Sequence, residues 1–359
     1  MLRAIPCVKL IFPGFFDQVA SHDLQSFSKD LPSTAQLIDR GAICDDPQLS
    51  IEQELLRNFH LSGSPTADLS IASITATADG IEYRPGLVRA DPVHLRADGT
   101  QLRLFCGDGF EPSAGESELL IETLNKQFPE VEFIEGQHPS RWYLQLPQPV
   151  EFTTPSPSEI NQKTIEGHLP SGRDAKQIHA LLNEIQMALY QCEVNLTREI
   201  DGQAPINSVW LWGNKPIVTE DCGAEFAVWG NDVLAYAVAE NSDARYFDTS
   251  DVGAILGEQV PHKFGRLVLL NSPTGPIRKR ERPLDIYQFE QIWARPLIHR
   301  LRLGGIKELQ IIDTRRRLTI RRFDIWKVWR YSSYFKDKLS VQIDPSKLSK
   351  DISVNDAVD

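Results

Sequence analysis

The sequence predicts an α/β protein with a mixed sheet, helices on both faces of that sheet and an inserted α+β subdomain. Three observations predict this. Apolar runs that fill both faces, at 209–212 and 266–270, are typical of buried strands. Apolar side chains at helical spacing mark residues 175–190 and 286–301. A strand-strand-helix-strand-strand order in residues 87–146 predicts the subdomain.

The N-terminal half begins with a predicted strand at 7–12, closed by the turn Pro13-Gly14. Residues 51–61 carry apolar side chains at the spacing of a helix. Further on, the turn pair Asp98-Gly99 predicts a hairpin between two strands in 87–104. The remaining predicted elements of this half are a helix at 117–128 and strands at 131–134 and 142–146.

The C-terminal half begins with residues 146–175, whose Pro, Ser, Thr and Gly content predicts an irregular linker. The predicted helices are 175–190, 226–239 and 286–301. The predicted strands are a short one that contains 209–212 and ends at Gly213, and those at 266–271, 308–313 and 317–321. The predicted division is 1–84 and 151–335 for the main domain, 85–150 for the subdomain and 336–359 for a flexible tail.

The composition is that of a globular protein, with 41% hydrophobic and 24% charged residues. A net charge of −11 argues against general binding of nucleic acids or anionic membranes, although basic residues outnumber acidic ones from 277 to 330. The five cysteines are scattered and odd in number, which favours reduced thiols over a disulfide framework or a zinc site. We expect a cytoplasmic protein without a membrane span.

No motif of the chain predicts catalysis. A phosphate-binding glycine loop, the HExxH and GxSxG motifs and paired His/Cys clusters are absent from the sequence. Gly107-Asp-Gly109 follows a strand but lacks the third glycine of a dinucleotide fingerprint. The sequence therefore predicts no catalytic residue, no metal site and no cofactor.

Asp91, His94 and Arg96 place an acid, an imidazole and a guanidinium within six residues beside the predicted hairpin. On a strand, His94 and Arg96 share one face. One interpretation is an oxyanion contact, because arginine presents a bidentate fork to phosphate or carboxylate. The other interpretation is a salt-bridged hairpin surface.

A basic and aromatic cluster lies near the C-terminus, and its predicted partner-binding residues are Arg315, Arg316, Arg317, Trp326 and Trp329. Such a mixture can stack on bases and neutralise phosphates. The alternative is a terminal helix whose aromatic side chains, including Phe323, pack down while the basic ones reach solvent.

Four stretches together resemble the RpfE-type bacterial regulatory proteins: LVRADPVHLRADG at 87–99, SRWYL at 140–144, LNEIQM at 182–187 and INSVWLWG at 206–213. The match covers roughly residues 85 to 335. It departs at Asn214-Lys215, where the relatives tend to continue with glycines.

The same region resembles the archaeal-type cofactor-independent phosphoglycerate mutases of the alkaline phosphatase superfamily. This resemblance implies an alkaline-phosphatase-like mixed sheet, with Arg89 and Arg141 as grips for a phosphorylated substrate. The metal-binding motifs of those mutases are not matched. The first strand is followed by Pro13-Gly14 without an acid, and Asp313 is followed by arginines, which cannot ligate a metal.

The hypothesis from the sequence is a non-catalytic regulatory or ligand-binding protein on a degenerate mutase-like scaffold, sensing a small phosphorylated or carboxylated metabolite. The predicted ligand-binding residues are Arg89, Asp91, His94, Arg96, Arg141, Asn207, Trp212 and Gly213. Two alternatives remain open: a phosphomutase or phosphatase, and a protein- or nucleic-acid-interaction module that uses the basic C-terminal region.

Overall fold

The computed structural model describes residues 4–22, 24–45, 51–59, 71–107, 110–190, 192–215, 225–248, 251–257, 260–270, 284–313 and 316–327. The chain divides into two compact units. Unit 1 comprises Met1–Pro47, Val252–Gly265 and Leu284–Asp359, and unit 2 comprises Gln48–Asp251 and Arg266–Pro283.

The described strands are β1 Ile5–Ile11, β2 Ala42–Asp45, β3 Leu87–Asp98, β4 Gln101–Phe105, β5 Glu132–Glu135, β6 Trp142–Gln145, β7 Ser208–Trp212, β8 Phe226–Trp229, β9 Tyr246–Phe247, β10 Gly265–Leu269, β11 Ile306–Ile312 and β12 Arg316–Arg321. The helices are α1 Phe15–Ala20, α2 Leu24–Asp30, α3 Pro32–Arg40, α4 Ile51–Asn58, α5 Ile71–Ala78, α6 Ala114–Gln127, α7 Pro157–Ile160, α8 Ala175–Tyr190, α9 Glu193–Ile200, α10 Val233–Asn241, α11 Val252–Leu256, α12 Ile286–Phe289 and α13 Arg295–Arg302. The chain is therefore mixed α/β, as predicted.

Unit 1 contains the strand order β2-β12-β11-β1. β1 and β11 run parallel, with Leu10 opposite Ile311, while β12 is antiparallel to both β11 and β2. Alternate side chains of these strands are fully buried, because each strand turns every second residue to the core: Val8, Leu10, Leu309, Ile311, Leu318 and Ile320. The predicted first strand and the predicted closing strand pair are confirmed.

The predicted helix at 286–301 is confirmed, with a π-helical turn, Glu290–Ala294, between α12 and α13. The turn presents the fully buried Glu290 carboxylate to the N-terminus of α3. That carboxylate accepts hydrogen bonds from the backbone N–H groups of Ser33 (3.1 Å) and Thr34 (2.7 Å). Burial raises the pKa of Glu290, but these bonds outweigh it and lower the pKa below its usual value. Glu290 thus stabilises the start of α3.

Unit 2 is built around β3. Residues 87–89 of β3 pair with β6, residues 89–93 with β7 and residues 94–98 with β4, all antiparallel. The Asp98-Gly99 hairpin and the helix at 175–190 are confirmed. Four strands of this sheet come from the predicted subdomain at 85–150, whereas β7 and the packed helix α8 come from residues beyond it.

The predicted helix at 226–239 is wrong for its first residues and confirmed from residue 233 onward. Residues Phe226–Trp229 form β8, which hydrogen-bonds to β10 on one side and to β9 on the other. The helix α10 begins only after Asp232, whose side chain accepts a hydrogen bond of 3.0 Å from the backbone N–H of Ala235. Both segments are apolar and buried, so their periodicity does not show where the strand ends.

The tryptophan-rich segment forms the predicted strand β7, and its five residues are all buried. Among the described strands it pairs with β3 alone, so it is a buried strand without a central place in the sheet. Helix α8 packs against β7, and both share one apolar core with α6 and β3. In the described part of the chain, no helix is both long enough and apolar enough to cross a bilayer.

Candidate ligand-binding site

The register of unit 2 brings the predicted arginines together with aromatic side chains. Arg89 of β3 lies opposite Tyr143 of β6 and opposite Trp212 of β7. Its guanidinium carbon is 5.4 Å from the centroid of the Tyr143 ring and 5.3 Å from that of Trp212. Arg89 is only 2% exposed, so these rings enclose a buried cation.

The charge of Arg89 is matched on the same strand. Asp91 follows two residues later and therefore faces the same side of the sheet. Its Oδ1 accepts hydrogen bonds from Nη2 (2.6 Å) and Nε (3.0 Å) of Arg89, and its Oδ2 accepts one from the indole N–H of Trp212 (2.8 Å). Burial lowers the pKa of Arg89, but the neighbouring Asp91 carboxylate outweighs it and raises the pKa. Arg89 is therefore a fixed, ion-paired cation.

A second buried ion pair joins Arg141 to Asp79, which lies in the turn after α5. The Asp79 carboxylate accepts two bonds of 2.6 Å from Nε and Nη2 of Arg141 and a third of 2.6 Å from the hydroxyl of Tyr143. Burial raises the pKa of Asp79, but the bonds and charge of Arg141 outweigh it and lower the pKa.

One donor in this network is unused. Among the described residues, the buried Nη1 of Arg141 has no hydrogen-bond partner. Buried donors in proteins normally have a partner, so this one is a candidate contact for a bound oxygen. Arg89, Arg141, Asp79 and Asp91 carry balanced charges, so the site offers a hydrogen-bond donor without excess positive charge.

Tyr143 connects the two ion pairs, because its ring lies beside Arg89 and its hydroxyl binds Asp79. Burial raises the pKa of Tyr143, so the phenol stays protonated and donates. Tyr143 and Asp79 are not among the site residues predicted from the sequence. Tyr143 could have been found, since it lies two residues after Arg141, the spacing of side chains on one side of an extended chain. Asp79 lies 62 residues before Arg141, and no local pattern links the two.

His94 and Arg96 lie further along β3, and both contact Phe105. The His94 ring is 6.1 Å from the Phe105 ring, and the Arg96 guanidinium carbon is 4.4 Å from its centroid. Nδ1 of His94 lies 2.8 Å from the Pro205 carbonyl, so Nδ1 carries the hydrogen. Burial lowers the pKa of His94, which favours the neutral ring.

Asn207 and Gly213 lie at the two ends of β7. The Asn207 amide binds both backbone polar groups of Leu95, at 2.7 and 2.8 Å. Gly213 has φ +68°, and a Cβ there would lie 2.9 Å from Cβ of Ile71. Its carbonyl accepts a 3.0 Å bond from the backbone N–H of Ala72. The structure thus gathers Arg89, Asp91, Arg141 and Trp212 into one network and places His94, Arg96 and Asn207 in another part of the sheet.

The predicted partner-binding residues are described in part, and Arg315 and Trp329 lie outside the described residues. Arg316 pairs with Asp45 at 3.4 Å, and Arg317 is half-buried on β12. The expectation that the aromatic residues pack down is wrong for two of them. Phe323 is 77% exposed and Trp326 is 59% exposed, while the buried side chain of this turn is Ile325.

The described residues do not fit a two-metal centre. No group of three or more His, Cys, Asp or Glu side chains able to hold a metal ion occurs among them. In unit 1 the acid after β11, Asp313, has both carboxylate oxygens engaged by backbone N–H groups, those of Gly14 (2.9 Å) and Phe16 (3.0 Å). Its carboxylate therefore stabilises the start of α1.

Curated relatives of the chain are phosphoglycerate mutases, and no protein-family model matches it. The 2,3-bisphosphoglycerate-independent phosphoglycerate mutase of Methanosarcina barkeri is 24% identical over 206 residues, which is 55% of this chain and 46% of the mutase. The enzyme of the same name from Methanosarcina mazei is 31% identical over 159 residues, 43% of this chain and 37% of the mutase. The chain thus spans less than half the length of these relatives.

Two solved structures were also matched. A cofactor-independent phosphoglycerate mutase from Thermoplasma acidophilum has a TM-score of 0.40 at 16% identity and covers 88% of this chain and 89% of its own. The PH0037 protein from Pyrococcus horikoshii has a TM-score of 0.46 at 10% identity and covers 89% and 88%. The sequence matches show that this chain is distantly similar to the cofactor-independent phosphoglycerate mutases.

Proposed function

We propose that this chain is a cytoplasmic regulatory protein of the RpfE type that binds a small phosphorylated or carboxylated metabolite on a mutase-like scaffold without catalysing its conversion. The observation that carries the proposal is the buried Nη1 of Arg141, a donor to which the described part of the chain offers no partner, in the network that links Asp79, Tyr143 and Arg89. A phosphate or carboxylate oxygen would satisfy this donor.

The ion pairs prepare the site for such a ligand. Asp79 holds the guanidinium of Arg141 through two of its nitrogens, which fixes the direction of the third. A donor that is already fixed loses little conformational entropy when it binds. We expect the affinity for the ligand to depend on Arg141 more than on Arg89. All three guanidinium nitrogens of Arg89 already donate hydrogen bonds, to Asp91 and Thr75.

The non-catalytic part of the proposal rests on Asp313. In the mutase-like alternative, an acid at this strand end would help to hold a metal ion, but both of its oxygens accept backbone hydrogen bonds here. The similarity to phosphoglycerate mutases supports the enzyme alternative equally well. That alternative predicts metal-dependent interconversion of phosphoglycerate isomers.

A thermal-shift experiment separates these functions. Purified full-length protein is heated with phosphoglycerate or with glycerate, each with manganese, with magnesium and with a chelator. Binding to the native state raises the melting temperature by mass action. The proposal predicts a rise that the chelator leaves unchanged and no isomerisation of phosphoglycerate in a parallel assay. A rise that needs metal, together with isomerisation, would establish the enzyme instead.

A third candidate function, binding a macromolecule through Arg315–Arg317 and Trp326, is favoured by the exposure of Trp326. It predicts salt-sensitive binding that is lost when the three arginines are replaced by alanine. If neither phosphoglycerate nor glycerate changes the melting temperature, that result would favour this third candidate function over metabolite binding.

A further inference from the structure

Three basic residues, Arg300, Lys307 and Arg322, lie around one corner of unit 1, where the chain leaves α13, turns through Gly304 and Gly305 and enters β11. The backbone N–H of Arg322 donates a 2.9 Å bond to the Lys307 carbonyl, which fixes the two residues side by side. A Cβ on Gly304 would lie 2.4 Å from the guanidinium carbon of Arg322, so that side chain covers the turn. A Cβ on Gly305 would lie 3.3 Å from Cδ of Arg300.

These three cations have no counterion within the described parts of the chain, where Arg300, Lys307 and Arg322 make no ion pair. The neighbouring acids pair with other bases: Glu290 with Arg295, Glu308 with Arg321 and Asp324 with Lys327. The corner therefore carries excess positive charge, although the chain as a whole carries −11.

Exposed apolar side chains adjoin these cations. Phe323 is 77% exposed and Leu303 is 57% exposed. The guanidinium carbon of Arg322 is 5.8 Å from the centroid of the Phe323 ring. We call Arg300, Leu303, Lys307, Arg322 and Phe323 the basic corner. Aromatic and arginine side chains at a solvent-exposed site are the residue types that dominate protein–protein contacts.

We infer that the basic corner binds a short acidic segment of a partner protein that also carries an apolar side chain. Carboxylates of the segment would pair with Arg300, Lys307 and Arg322, and its apolar side chain would lie against Leu303 and Phe323. A nucleic acid fits less well, because an extended polyanion would also meet the negative field of the rest of this chain.

The test uses fluorescence anisotropy with full-length protein and three labelled probes. The first is a short peptide of glutamates around a central leucine, the second has serine in place of that leucine, and the third is a single-stranded oligothymidylate. The variants are Arg322→Glu, Lys307→Glu and Phe323→Ala. Lys176→Glu, an exposed lysine of α8 in unit 2, makes the same charge change away from the corner.

We expect the leucine peptide to bind wild type and Lys176→Glu equally, and each corner charge reversal to weaken binding by about tenfold or more. Phe323→Ala and the serine peptide should each weaken binding as well. Equal affinity of Arg322→Glu, Lys307→Glu and wild type would overturn the inference. So would tighter binding of oligothymidylate than of the leucine peptide, or no binding of that peptide to wild type. Retained far-ultraviolet circular dichroism confirms that each variant is folded.

Discussion

Asp79 holds Arg141 through two hydrogen bonds of 2.6 Å, although 62 residues separate them in the chain. The side chains are 1% and 3% exposed, so bulk water screens the two charges very little. A buried ion pair is tolerated in the folded protein because each charge compensates the other. Removing one partner leaves an uncompensated buried charge, which destabilises the fold. The pair therefore contributes to the stability of unit 2 and fixes the direction of Nη1 of Arg141.

Replacement of Asp79 by Asn should destabilise the protein by about 3–5 kcal/mol, because the buried Arg141 charge loses its counterion. Urea unfolding of the wild type and the variant measures the difference. The matched control is Asp98→Asn, which removes the carboxylate of the exposed pair with Arg103. That change should cost only about 0.5 kcal/mol. Equal losses in the two variants would show that the Asp79 pair is not buried as described.

Lowering the pH should reduce the free energy of unfolding, because Asp79 becomes protonated. Its pKa is lower in the folded state than in the unfolded state, so the stabilisation is complete above the unfolded pKa, which is about 4. The stabilisation is lost as the pH falls from that value through the folded pKa. We expect the free energy of unfolding of wild type to fall more steeply below about pH 4 than that of Asp79→Asn. Parallel pH profiles would contradict the assignment.

Replacement of Gly213 by Ala should destabilise unit 2 by about 3 kcal/mol, through backbone strain at φ +68° and a clash with Ile71. Gly99 is a matched control, since its φ is +61° and a Cβ there meets no atom within 4 Å. Gly99→Ala should therefore cost only the strain, about 1–2 kcal/mol. Thermal unfolding of both variants measures the difference, and equal costs would mean that the region around Ile71 adjusts freely.

Much of the fold follows from local sequence. The Asp98-Gly99 hairpin, the helix at 175–190 and the strands β11 and β12 were predictable because turn residues and periodicity act over a few neighbours. The run at 226–239 was not, because a buried strand followed by a buried helix is apolar throughout.

The candidate site was predictable only in part. Arg89 and Asp91 share a strand face by their spacing, so their pairing could be anticipated. The pairing of Arg141 with Asp79 depends on how α5 packs against β3, and that long-range contact has no local signal. The exposure of Phe323 and Trp326 likewise reflects tertiary packing, since composition alone is compatible with packed or exposed aromatics.

Under the proposed function, Nη1 of Arg141 binds an oxygen of a small anionic metabolite. The most direct measurement compares the thermal shifts that phosphoglycerate and glycerate cause, with chelator present, in wild type and in Arg141→Lys. Lysine keeps a positive charge for Asp79 but removes the planar fork and its third nitrogen. Arg103→Lys, on the exposed surface, is the control.

We predict a rise in melting temperature of a few degrees for wild type and Arg103→Lys at a ligand concentration about 100 times the dissociation constant. The rise should be absent in Arg141→Lys. A shift of the same size in Arg141→Lys, or no shift in wild type with either ligand, would show that Nη1 of Arg141 does not bind the metabolite.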